Sequence, residues 1–170
     1  MSTYIALLRA VNVGGSGKLP MAELKAMCED QGFAQVQTYI ASGNVVFRTD
    51  QTAPQIQAAL ARRLALYAGK PVGVLVRTAQ EMAEVLAANP FHQAPGNRTV
   101  AIFLDAPPPA DTLEQIRGQA DEQLQLGARE IYVAYGPDMG RSRLKIPAAE
   151  QGTARNMNTV AKLVAMAAAM

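Results

Sequence analysis

The chain has 170 residues, 49% of them hydrophobic and 18% charged, with a formal net charge of +2. That is enough for one ordinary domain or two small subdomains sharing a core, and it excludes disordered, collagen-like and coiled-coil classes. The weak charge, an aromatic content of 5% and the absence of Trp speak against a duplex binder's basic stripe and a single-strand binder's aromatic platforms.

Cys28 and His92 are the sole cysteine and the sole histidine. An internal disulfide and a Cys-based zinc cluster are thereby excluded, and neither a metal nor a cofactor is expected. Arg9 interrupts the apolar start and no cleavage-site pattern follows it, so a secretory leader is not indicated. The Ala-rich end, residues 160–170, falls short of the ~20 residues a membrane span needs. A cytoplasmic protein without membrane contact is the expectation.

Residues 3–13 read as a strand that is mostly apolar on both faces, hence central and covered on both sides. Arg9 within it must meet a carboxylate, the favoured reading, or lie close enough to the strand's end to face a pocket. Residues 12–18 form a glycine-rich loop, and Pro20 opens a helix with Met21, Leu24, Met27 and Cys28 on one side and Gly32 at its end. Strands 36–41 and 45–48 follow, joined through Ser42-Gly43-Asn44, residues that supply the positive φ of a tight hairpin. Helix 54–67 places Ile56, Leu60, Leu64 and Tyr67 at helical spacing, Gly69-Lys70-Pro71 breaks it, and strand 72–77 comes next. The order is β-α-β-β-α-β, a ferredoxin-like first subdomain over residues 1–78.

Residues 79–170 read as a second, smaller and irregular α+β subdomain, packed with the first as one globular unit and covering the open face of its sheet. Its expected parts are a helix over 78–88 with Thr78 as N-cap, a Pro/Gly loop over 89–97 and a strand over 99–104 ended by prolines. A helix over 111–119, a strand over 130–134 and a further short strand over 143–146 follow. Thr153 or Asn156 then caps a last helix with Val160, Leu163, Val164 and Ala167 inward.

In this topology the end of the first strand, the start of the first helix and the hairpin share one edge. Asn12, Gly14, Gly15, Ser16, Lys18, Ser42 and Asn44 gather there with the free N–H groups of the helix start, the composition of an anion pocket. No known phosphate motif is matched. A P-loop needs Gly at 12 and Ser or Thr at 19, where Asn12 and Leu19 stand, and the dinucleotide fingerprint fails at Pro20. A loop that merely turns a corner before a helix is the competing reading. Near the end, Arg155, Asn156, Asn158 and Thr159 crowd one helix start, and Arg155 suits either a bidentate hold on a carboxylate or phosphate or an ion pair within the fold.

The segments LLRAVNVGGSGKLPMAELKAM, GFAQVQTYIASGNVVF and TARNMNTVAKL together resemble the bacterial DUF1697 family. The resemblance implies a two-part α+β fold with a ferredoxin-like first part, and it implies no activity, since the family has none assigned. Ala10 stands where that family usually has Gly, Met157 where it usually has Trp, and the segment between Arg143 and Thr153 is short.

Three functions follow as expectations. The favoured one is binding of a small phosphate- or carboxylate-bearing ligand at the 12–18 and 42–44 edge, with Arg155 and Asn156 as a candidate second wall. The others are a non-catalytic protein-interaction module and weak RNA binding through Arg62, Arg63, Arg77, Arg141, Arg143 and Lys145. His92 lacks the partners of a catalytic triad, and whether the protein is an enzyme is left open.

Overall fold

The computed structural model describes residues 1–13 and 17–170, and Gly14, Gly15 and Ser16 lie outside the described residues. The chain forms two compact units, Met1–Ala83 with Lys162–Met170, and Glu84–Ala161.

The first unit holds β1 (Ser2–Leu8), α1 (Met21–Asp30), β2 (Ala34–Tyr39), β3 (Asn44–Thr49), α2 (Ala53–Ala68) and β4 (Val74–Thr78). The sheet order is β2-β3-β1-β4, with every neighbouring pair antiparallel. This is the expected β-α-β-β-α-β core. Opposed residues share a face, so the register puts Tyr4 with Phe47, Ala6 with Val45 and Val76, and Leu8 with Val74 on one side. Leu24, Met27 and Cys28 of α1 and Ile56, Leu60 and Leu64 of α2 pack on that side, and Phe33 stacks on Phe47 with ring centroids 4.4 Å apart. Ile5, Leu7, Val46, Leu75 and Arg77 on the other side are buried as well, which is why β1 lacks a polar face.

Local chemistry sets the helix ends. Phe33 N–H donates to Cys28 C=O and Gly32 N–H to Glu29 C=O, the paired bonds of a Schellman ending, with Gly32 at φ 86°. At α2, Thr52 and Gln55 form a reciprocal capping box and Gly69 closes the helix at φ 71°. Thr78 caps α3 (Ala79–Ala87), accepting from Glu81 N–H at 3.0 Å while its own N–H donates to the Glu81 carboxylate at 2.9 Å.

The second unit is built on β5 (Thr99–Phe103), β6 (Gln123–Leu126), β7 (Glu130–Ala134) and β8 (Thr153–Asn156), ordered β6-β7-β5-β8. Val100, Ile102, Ile131 and Val133 pack with Leu144 and Ile146 from the long connection before β8. On the opposite face the buried Tyr132 hydroxyl donates to Val85 C=O at 2.8 Å. α4 (Met157–Ala168) follows β8 directly, and Lys162 on it lies 5.9 Å from the centre of the Tyr39 ring, within the first unit.

Several expected elements are corrected. β1 stops at Leu8, because Ala10 and Asn12 both adopt φ 56°, outside any strand conformation. The helix expected over 111–119 is a single 3-10 turn, Thr112–Glu114. Arg117 instead exchanges both backbone hydrogen bonds with Lys145, at 2.9 and 2.8 Å, so the strand expected over 143–146 is reduced to that one bridge. Thr153–Asn156, expected at a helix start, is the strand β8, and β6 has no counterpart among the expected elements. No helix among the described residues is long and apolar enough to cross a membrane.

Candidate functional site

Two loops grip the chain as it leaves β1. Leu8 N–H donates to Gly43 C=O at 2.8 Å, and Arg9 N–H to Gly73 C=O at 2.9 Å. Asn12 then closes the loop on itself. Its Oδ1 accepts Leu19 N–H at 2.7 Å, while its Nδ2 donates to Leu19 C=O at 2.9 Å and Ala41 C=O at 2.8 Å. The Asn12 amide thus uses one acceptor and both donors inside the fold. It joins the 12–19 loop to the hairpin, as the topology predicts, by acting as a clasp.

The concavity at this edge opens elsewhere. A cleft of about 370 Å³ is lined by Arg9, Lys18 and Lys70, by the apolar groups of Val11, Leu19, Leu64, Pro71 and Val72, and by Tyr67. Among the described residues its lining contains no carboxylate. Leu64 is buried, whereas Tyr67, nearly one turn further along α2, keeps 43% of its surface exposed. Gly73 sets the approach of Arg9, since a Cβ there would stand 3.0 Å from Arg9 Cβ and 3.3 Å from its Cδ.

Of the residues singled out from sequence, Lys18 lines this cleft, and Gly14 and Gly15 lie outside the described residues. Ser42 and Asn44 do not line it. Asn44 is fully buried opposite Leu7, on the sheet face away from α1 and α2, and its Nδ2 donates to Tyr39 C=O at 2.8 Å and Ser42 Oγ at 2.9 Å. Strand alternation turns this side chain away from the helix side of the sheet. Arg155 and Asn156 belong to the second unit. Arg155 donates to Thr153 Oγ1 at 2.7 Å and Ala154 C=O at 2.9 Å, and burial pulls its guanidinium down to about 10. Asn156 Oδ1 accepts Thr159 N–H at 2.9 Å, capping α4.

Arg9 lines the cleft, the less favoured of its two sequence readings, while Tyr67 and Lys70 were not singled out as site residues. Topology carried the signal. β4 pairs with β1, Leu8 opposite Val74, so whatever precedes β4 lies beside whatever follows β1, and Gly69-Lys70-Pro71 belongs to that edge.

A second depression, about 520 Å³, lies in the second unit between Glu122, Tyr135 and Arg143. Hydrogen bonds from the Ser142 hydroxyl and from Ala120 N–H hold the Glu122 carboxyl below its ordinary range, so this acid is engaged by its own loop. Among the described residues no group of three or more His, Cys, Asp or Glu is placed to hold a metal ion.

Two four-stranded antiparallel sheets with helices, the first sheet ferredoxin-like, define an α+β protein of two units. The chain belongs to the DUF1697 family, described as a protein of unknown function, whose model matches residues 1–132. The matched region contains the whole cleft, while the segment Thr153–Lys162 lies beyond it. The conserved bacterial protein SP0830 from Streptococcus pneumoniae has a similar structure, with a TM-score of 0.80, 25% sequence identity and 98% of each chain covered. No curated protein matches the sequence.

Proposed function

We propose that the protein binds a small anionic ligand in the cleft between the 9–19 segment and the loop from α2 to β4. The observation that carries this reading is the gathering of Arg9, Lys18 and Lys70 around one concavity whose described lining contains no carboxylate. Cations of one sign set against low-dielectric walls focus a positive potential and raise the local concentration of anions. Lys18 and Lys70 bring mobile point charges to a phosphate or carboxylate, and the guanidinium of Arg9 adds positive charge beside them. A volume of about 370 Å³ lies near the small end of the ~300–1,000 Å³ of ligand pockets, the size for a metabolite rather than a polymer. The proposed role is binding, in the cytoplasm, with no reaction assigned.

Titration calorimetry with inorganic phosphate and sulfate at low ionic strength tests it. Saturable binding is expected, weakened by added salt and lost when Lys18 and Lys70 are both changed to alanine. Absence of binding at millimolar anion, or binding indifferent to the double change, would overturn the proposal.

A further inference from the structure

We infer, resting on the reading of this cleft as an anion site, that its ligand is a phosphate monoester bearing a planar or apolar group, not a bare inorganic anion. The lining is two-sided. Arg9, Lys18 and Lys70 supply the charge, and Tyr67, Pro71 and Val72 supply an apolar surface in the same concavity. A bare anion would use only the first and would leave the second against water.

Tyr67 makes the point most directly. Leu64 on the same helix is 1% exposed and belongs to the core, while Tyr67 stands 43% exposed at the cleft. Tyr67 is thus partly open to solvent in the lining of a cationic cleft, and an aromatic ring there can offer a planar group a stacking partner. The charge balance selects the monoester. Lys18 and Lys70, both exposed at the cleft with no carboxylate among the described lining residues, favour a group of charge about −1.5 to −2 at neutral pH, as a phosphate monoester carries, over a singly charged carboxylate.

The test compares phenyl phosphate, inorganic phosphate and benzoate by calorimetry at low ionic strength, on the full chain and on Tyr67→Ala and Tyr67→Phe. Phenyl phosphate is expected to bind about tenfold more tightly than inorganic phosphate, from the apolar surface it removes from water, and more tightly than benzoate. Tyr67→Ala should erase the advantage of phenyl phosphate over inorganic phosphate, and Tyr67→Phe should keep it. If inorganic phosphate binds and phenyl phosphate is no tighter, or benzoate equals phenyl phosphate, the inference fails and anion binding stands. If none of the three binds, both fail together.

Discussion

Arg9 and Gly73 are in contact along both backbone and side chain. The Arg9 N–H donates to the Gly73 carbonyl at 2.9 Å, and the α-carbon of Gly73 faces the Arg9 stem so closely that a methyl there would stand 3.0 Å from Arg9 Cβ. Replacing Gly73 by alanine therefore forces the stem aside by a few tenths of an ångström, and valine forces it further. Gly73→Ala is expected to weaken anion binding several-fold with a stability change within about 1 kcal/mol. Calorimetry and denaturant titration on the same preparation check both halves. Undiminished binding in the valine variant would remove Arg9 from the site.

Lys18 and Lys70 are exposed at the cleft, so their charge can be removed with little structural cost. Each alanine variant should keep its unfolding free energy within about 0.5 kcal/mol of the parent. Each should also bind phosphate more weakly and with a shallower dependence on salt, because fewer screened charges remain. Lys70→Glu should abolish binding, since it places a carboxylate where the described lining has none. Titrations at two ionic strengths provide the measurement.

Asn12 and Asn44 should behave in the opposite way. Asn12 satisfies Leu19 N–H, Leu19 C=O and Ala41 C=O at once, and Asn44 is buried with its amide on Tyr39 and Ser42. Changing either to alanine leaves backbone groups short of partners, a loss of about 1–3 kcal/mol. Denaturant unfolding should register that loss before any effect on ligand is seen. A variant of either residue with native stability and lost binding would reverse this assignment and return these amides to the ligand.

The contrast between these amides and the cleft cations shows how far the sequence could be read. The order β-α-β-β-α-β was legible because Leu24, Met27 and Cys28, and Ile56, Leu60 and Leu64, repeat at helical spacing between β-rich runs, and because Gly32 and Gly69 end the helices. The pocket's edge followed from that order, but its wall did not. The hairpin's position brings Asn44 to that edge, but strand alternation turns its side chain to the Leu7 face. β8 was missed for a different reason. Thr153 and Arg155 are its buried residues and Ala154 is exposed, which inverts the usual alternation, and the segment therefore read as a polar helix start. In residues 111–119 the helix-like composition lost to the backbone pairing of Arg117 with Lys145, a contact too distant in sequence for local pattern to reveal.

Ala10 offers a stabilising change. It adopts φ 56°, a region that costs an L-residue with a Cβ about 1–2 kcal/mol relative to its preferred conformations and costs glycine almost nothing. Ala10→Gly is expected to raise stability by about 1 kcal/mol after the extra freedom of glycine in the unfolded chain is subtracted. Thermal or denaturant unfolding checks this. An unchanged or lowered midpoint would mean that the loop around residue 10 relaxes without cost.

Alkaline pH should destabilise both units, through different residues. Burial, reinforced by Glu29, pushes the Cys28 thiol from 9.0 up to about 12, and burial with Glu130 pushes Tyr132 from 10.0 up to about 12. In both cases the native state holds a proton that the unfolded chain releases earlier, so stability is intact below the unfolded pKa and falls as the pH climbs toward the native one. The first unit should therefore weaken from about pH 9 upward and the second from about pH 10. Cys28→Ala should flatten the first decline from a lower starting stability, because the missing sulfur leaves a small cavity. Tyr132→Phe should make the second shallower, also from a lower start because Val85 C=O loses its donor, and the remainder belongs to Tyr135, which burial, reinforced by Glu122, also pushes up. A thiol reagent at mildly alkaline pH gives an independent reading. The neutral, buried Cys28 should react only after the first unit opens, and rapid labelling of the native protein would contradict the pH assignment directly.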